Sequence, residues 1–478
     1  MDQTMNVIRR ITLFIFLVVL SFGCCSKNLF AQSASPTQIQ TGQIVDQVVI
    51  QSHPDQSYAV FLPSNYTPNK TWPTVFCFDP RGRGKTALER FVEASEKYGY
   101  ITVCSNNSRN GLNWPTISDI FTNFWNDAHS RFSIDDKRTY AAGLSGGSRL
   151  SSTFAARCRG CMAGVIGCAA GYPADVEPDP KTPFAYFGIS GVDDFNFGEL
   201  WQLDKKLSKF AAPHDFETFS GGHEWPPKEN IDRAFAWLTL QSIKAGTFAD
   251  KNFVQEQFKV RIERAETLLT NKQLVDASRA FASIVRDFQG LVDVETIAQK
   301  SDQLSKNSEV KKESSTEEEL YRRQGRMAAE IRALWTKPSQ PELEGVDMSR
   351  PQAIARLADL RKTKEQPNDS NDRRLARRVL SHLTIESFET AQASLRNNDY
   401  DSALANYELV KEIDPKNANV RYEIARLYAL KRQKKQALQF LEDAVELGFK
   451  DVTRLKADDA FVSLSEEPRF QKLLTSLN

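Results

Sequence analysis

The sequence predicts an α/β fold, a mostly parallel sheet with helices on both faces, followed by an all-helical region. Three observations carry that prediction. Between residues 45 and 244, short β-branched or aromatic runs alternate with longer amphipathic stretches, the pattern of βαβ units. After residue 245 the strand signals stop. Composition divides at the same place, because 18 of the 23 glycines, all seven cysteines and six of the seven tryptophans precede residue 246. A chain of 478 residues accommodates two to four domains, at roughly 100–200 residues each.

Strands are expected at 48–50, 58–62, 74–78, 100–105, 139–143, 164–168, 184–189 and 215–219. Helices are expected at 87–98, 117–132, 148–157, 198–210 and 228–243. No helix separates the first two strands, so they form an antiparallel start. Several inner strands are continuously apolar, as strands covered on both faces should be. Residues 250–295 read as a helical pair. Residues 300–380 read as a charged linker or exposed helix, with nine charges in 301–320 and eight in 361–374. Such density suggests a solvated stretch crossed by few contacts.

From 384 to 478 helical periodicity returns with a repeat. Tyr400, Ala403, Tyr407 and Val410 are followed 34 residues later by Lys434, Ala437, Leu441 and Ala444. Small residues at that period mark two helices crossing in a solenoid. The stretches 384–417 and 418–451 resemble tetratricopeptide repeats, with Ala391 and Pro415 in the first and Ala425 and Tyr428 in the second. Leu274, Ala277, Phe281 and Ile284 sit at matching offsets, as a degenerate earlier copy.

At the amino end, Arg9 and Arg10 precede an apolar run over 11–23 that is too short to span a bilayer, which needs about 20 residues. Residues 1–33 read as a signal peptide, with a cleavage region at Ala31-Gln32-Ser33, giving a secreted or periplasmic protein. The alternative is a lipoprotein anchored at Cys24, the one route by which a membrane would be a partner. Cys158 and Cys161 form either a local disulfide or an inert pair; Cys77 and Cys104 lie in strand-like runs. Lysine and arginine number 62 against 61 acidic residues, without the basic surplus that a nucleic-acid binder needs. No histidine or carboxylate cluster has metal-ligand spacing, so neither metal nor cofactor is expected.

The chemistry concentrates in Gly143-Leu144-Ser145-Gly146-Gly147, between a strand and a helix. A serine on such a tight turn is forced out of the sheet edge, and the helix start aims N–H groups at a developing oxyanion. The base should follow the last strand, which selects His223 in Gly221-Gly222-His223-Glu224-Trp225-Pro226-Pro227 from the five histidines. The acid should follow the preceding strand, where either Asp193 or Asp194 fits. Asp194, three residues beyond Gly191, is preferred. Asp175 and Asp179 fit worse.

These pieces resemble the α/β-hydrolase superfamily, and within it secreted esterases similar to polyhydroxybutyrate depolymerases and feruloyl esterases. The resemblance implies a triad of Ser145, His223 and Asp194, with backbone oxyanion donors at Gly146 and in the loop 79–83. There a His-Gly pair is usual, but the chain reads Asp79-Pro80-Arg81-Gly82-Arg83, and the Arg83 N–H is the donor by position. The implied reaction is hydrolysis of a small-molecule or polymer ester through an acyl-enzyme. The alternatives are a serine peptidase on the same fold, or a non-catalytic protein that binds a protein partner through its repeats. On this reading the repeats are separable from catalysis.

Overall fold

The β-branched and aromatic runs assemble into one sheet. The computed structural model describes residues 39–178, 184–210, 212–336 and 349–477. The expected signal peptide, Cys24 and Asp179 lie outside the described residues. The strands are β1 (Ile44–Ile50), β2 (His53–Phe61), β3 (Trp72–Phe78), β4 (Ile101–Ser105), β5 (Ile134–Leu144), β6 (Gly164–Cys168), β7 (Ala185–Gly191) and β8 (His214–Phe219). Between and after them run α1 (Gly84–Tyr98), α2 (Trp114–Arg131), α3 (Gly146–Cys158), α4 (Phe197–Lys209) and α5 (Lys228–Lys244).

Across the sheet the order is β1-β2-β4-β3-β5-β6-β7-β8. β2 is antiparallel to both β1 and β4, and the other neighbours are parallel. The carboxyl ends of β3 to β8 therefore share one edge. β3, β4, β6 and β7 are buried at every residue. Phe91 of α1 and Phe235 and Leu238 of α5 cover one face. Ala155 of α3 and Leu200, Trp201 and Leu203 of α4 cover the other. Burying each large apolar side chain contributes about 1.5–3 kcal/mol. β5 begins at Ile134, earlier than the apolar run suggests, because Asp136 and Lys137 extend the strand while exposed to solvent.

Local signals set the helix ends. Asn113 caps α2 by accepting the Thr116 N–H at 3.0 Å, with Pro115 in the first turn. Gly99 ends α1 at φ 70°, a left-handed conformation that glycine adopts without a Cβ penalty. Cys158 and Cys161 are joined in a disulfide, while Cys77, Cys104 and Cys168 are buried free thiols.

The helical region comprises α6 (Lys251–Thr270), α7 (Leu274–Phe288), α8 (Glu295–Lys306), α9 (Ser308–Thr336), α10 (Ser349–Lys364), α11 (Asn371–Arg396), α12 (Tyr400–Ile413), α13 (Ala418–Leu430), α14 (Lys434–Glu446), α15 (Val452–Ala457) and α16 (Pro468–Leu477). It shares one compact unit, Gln40–Asn478, with the sheet. Arg261 of α6 joins them, bonding Asp215 of β8 at 2.9 Å and Asp287 of α7 at 2.7 Å.

The charged stretch 300–380 is helical where described, one of the two readings that its composition allows, but it is packed and not the solvated, contact-poor stretch expected. α9 buries Leu320, Gln324, Ala328, Ile331 and Trp335 at helical spacing, packed with Leu357, Leu375 and Leu383 of α10 and α11. Its charges have partners on another helix, since Glu317 pairs with Arg374 at 2.9 Å and Arg378 at 3.2 Å. The repeats pack as their period requires: Ala391, Ala403, Tyr407, Ala425, Ala437, Leu441 and Ala444 are all buried. In α7, so are Ala277, Phe281 and Ile284.

Candidate active site

The Ser145 turn is built by steric exclusion. Ser145 sits between β5 and α3 at φ 54°, ψ −118°, a strained backbone for a residue with a Cβ, costing of order 1–3 kcal/mol. A Cβ on Gly143 would lie 2.3 Å from the Gly147 backbone, and one on Gly147 would lie 2.0 Å from the Phe78 carbonyl of β3. Both positions must be glycine for strand and helix to meet this closely. The Ser145 N–H donates to the Cys168 carbonyl at 2.8 Å, which fixes the turn against β6. Gly146 opens α3, so its N–H has no acceptor within the helix. Gly146 also faces Asn110 from the loop after β4, where a Cβ would come within 2.0 Å of Oδ1.

His223 and Asp194 meet from two adjacent loops. β7 and β8 pair through Gly191 and Phe219. Beyond them the Val192 N–H donates to the Phe219 carbonyl and the Asp193 N–H to the Gly221 carbonyl, both at 2.9 Å. A Cβ on Gly191 would stand 2.3 Å from the Gly221 oxygen, so glycine there lets the loops touch. His223 Nδ1 lies 2.9 Å from Asp194 Oδ1, which also accepts the Asn196 N–H at 2.8 Å. With Nδ1 donating to the carboxylate, Nε2 keeps its lone pair. The Phe195 ring packs on the imidazole, 4.4 Å between centroids.

Asp194 is completely buried. Burial pushes its carboxyl above the usual range, opposed by His223, the Asn196 N–H and Arg378. Its neighbour Asp193 is turned the other way, with Oδ2 2.5 Å from Arg377 Nη1. Asp175 pairs with Arg157 at the surface. His214 is a buried structural histidine between Ser208 Oγ and the Ala212 carbonyl. Ser145, His223 and Asp194 all follow carboxyl ends of strands on the shared edge. Among the described residues, no hydrogen bond joins Ser145 Oγ to His223, a contact that often tightens only around substrate.

The loop 79–83 turns inward. Asp79 Oδ1 accepts the N–H groups of Arg81 at 2.8 Å and Arg83 at 3.3 Å, and the Arg83 guanidinium binds both carboxylate oxygens at 3.0 Å. Arg83, the expected second oxyanion donor, thus has its N–H engaged inside its own loop. Asp79 Oδ2 also accepts Trp225 Nε1 at 3.1 Å. Burial alone would raise the Asp79 pKa, but the bonds from Arg83, Trp225 and Arg81 hold it below the usual range. Asp79 therefore ties the loop beside the Ser145 turn to the segment two residues past His223. Sequence reasoning missed this link, although a lone aspartate where His-Gly is usual, and the tryptophan in Gly-Gly-His-Glu-Trp, were both visible. Among the described residues no group of His, Cys, Asp or Glu is arranged to hold a metal ion.

A serine on a left-handed strand-to-helix turn, in a sheet of this strand order, defines an α/β-hydrolase fold; the carboxyl-terminal helices add tetratricopeptide repeats. The tetratricopeptide repeat family model matches residues 394–458. Among curated proteins, none matches the sequence. Among solved structures, the chain is similar to the S-formylglutathione hydrolase of Staphylococcus aureus, at 17% identity, covering 38% of this chain and 92% of that one with a TM-score of 0.32. It is similar to the feruloyl esterase module of Clostridium thermocellum, at 15% identity over 41% and 86% with a TM-score of 0.33. It is also similar to fungal esterases of Rhizomucor miehei, at 14% identity over 44% and 87% with a TM-score of 0.35.

Proposed function

We propose that the protein is a serine carboxylic-ester hydrolase that works through an acyl-enzyme. The observation that carries this reading is the His223–Asp194 pair, 2.9 Å apart, on the edge where the Ser145 turn emerges. In the reaction, Ser145 Oγ attacks the ester carbonyl while its proton passes to His223 Nε2. Asp194 stabilises the imidazolium without taking the proton. The Gly146 N–H meets the oxyanion as it forms. Collapse of the tetrahedral intermediate breaks the bond to the alcohol, which leaves with the proton from His223. Water, deprotonated by the same histidine, then hydrolyses the acyl-enzyme and restores Ser145.

The leader at 1–33 would direct this activity outside the cytoplasm, where the Cys158–Cys161 disulfide suits an oxidising compartment. The repeats offer a surface for a protein or peptide partner. The test of the chemistry is turnover of a short acyl p-nitrophenyl ester. The wild-type chain should hydrolyse it and Ser145→Ala should not; equal rates would overturn the assignment.

A further inference from the structure

The segment that carries Asp194, residues 192–198, is gripped from outside the α/β portion of the chain. Arg378 of α11 is fully buried. It donates from Nε at 2.9 Å and Nη2 at 2.6 Å to the Val192 carbonyl, two residues before Asp194. Its Nη1 lies 3.2 Å from Glu317 of α9, and its guanidinium lies over the Phe197 ring at 4.4 Å. Gln324 of α9 donates to the Phe195 carbonyl at 2.7 Å. Arg377 holds Asp193, and His382 stacks on the face of Phe195 at 5.4 Å. Tyr321 is pressed so closely on Gly198 that a Cβ there would lie 2.1 Å from the ring.

Burying a guanidinium is costly unless its donors are filled, and a buried ion pair is weak evidence of a stabilising role. Here the donors are spent on the carbonyl of a loop whose only catalytic member is Asp194. The same helix continues to the other side of the site. About 27 Å further along, at 1.5 Å per residue, Arg396 closes on Gly111. Between them Glu389 accepts the Asn110 amide at 2.8 Å, beside Gly146. α11 also leads into the repeats, whose family match begins at residue 394.

We infer that Arg378 is a positioning residue of the hydrolase, holding the Asp194 loop so that the carboxylate meets His223, and that α9 and α11 complete the active site. This inference rests on the triad proposed above. It ties the helices ahead of the repeats to catalysis, because the helix that leads into them also fixes the acid.

The experiment uses the full chain. Arg378→Met should lower kcat roughly 100-fold, the scale of a misplaced catalytic group, with KM changed less than about twofold. The pH profile separates positioning from mere stability. Asp194 is faced by His223 and Arg378, with Asp193, Arg377, Glu317 and His382 around the same loop. Losing the guanidinium leaves the carboxyl easier to protonate, so the rate deficit should deepen as pH falls. Arg378→Lys, with charge but no fork, should fall between. Wild-type kcat and an unshifted acid limb in folded Arg378→Met overturn the inference while leaving the triad intact. Failure of the triad itself would show instead as a wild-type chain whose Ser145 takes no fluorophosphonate. Should Arg378→Met not fold, Gln324→Ala decides. A several-fold loss in kcat at constant KM supports the clamp, and unchanged kcat overturns it.

Discussion

The Ser145 turn and the Asp194 loop are positioned by opposite means. Ser145 is positioned by its immediate neighbours: Gly143 and Gly147 allow strand and helix to touch, and the Cys168 carbonyl holds the Ser145 N–H. Asp194 hangs on a loop whose carbonyls are held from far along the chain, by Gln324 and Arg378. A local steric device tolerates almost any remote change but no change of its own residues. A remotely clamped loop behaves the other way round, and that contrast can be measured.

The largest effect should come from the turn. Ser145→Ala should lower kcat on the order of 10⁶-fold, as removal of the nucleophile does in other serine triads, with a circular dichroism spectrum like that of the wild type. Asp194→Asn should cost about 10⁴-fold, because the amide favours the wrong imidazole tautomer. Asp193→Asn breaks only the contact with Arg377 and should cost less than about tenfold. Paired steady-state kinetics compare these losses, and equal ones would erase the distinction between the two aspartates. Gly147→Ala drives a Cβ to 2.0 Å from the Phe78 oxygen and should destabilise the fold by about 3 kcal/mol or more, seen as a lower urea midpoint. Asn113→Ala removes the cap of α2 and should cost about 1 kcal/mol with little change in kcat.

Truncation sharpens the comparison further. A chain ending near Lys244 keeps the whole serine turn yet loses Gln324, Arg377 and Arg378. It also loses Asp287, which accepts Trp237 Nε1 at 2.9 Å. On the inferred clamp this shortened chain should lose ester turnover, in place of the independence that the charged stretches suggested.

That difference marks what the sequence could show. Strands β3, β4, β6 and β7 were legible because a two-sided sheet writes itself as short apolar runs, β1, β2 and β5 only over their buried ends, and the turn because its glycines are adjacent to the serine. The repeats were legible through their 34-residue period. The packing of 300–380 was not. Its charges look solvated until Glu317 meets Arg374 and Arg378, 57 and 61 positions away, and no local pattern encodes such a pairing. The inward turn of Asp79 toward Arg83 and Trp225 was hidden for the same reason, since half of it lies 146 residues off.

The central claim is that Ser145 is an activated nucleophile served by His223 and Asp194. Its most direct test is covalent labelling of the full-length protein with a fluorophosphonate probe, followed by mass mapping of the modified peptide. Single-site modification at Ser145, lost in His223→Ala under the same exposure, is the predicted result. A wild-type protein that stays unlabelled, or is labelled at another serine with Ser145 untouched, would contradict it.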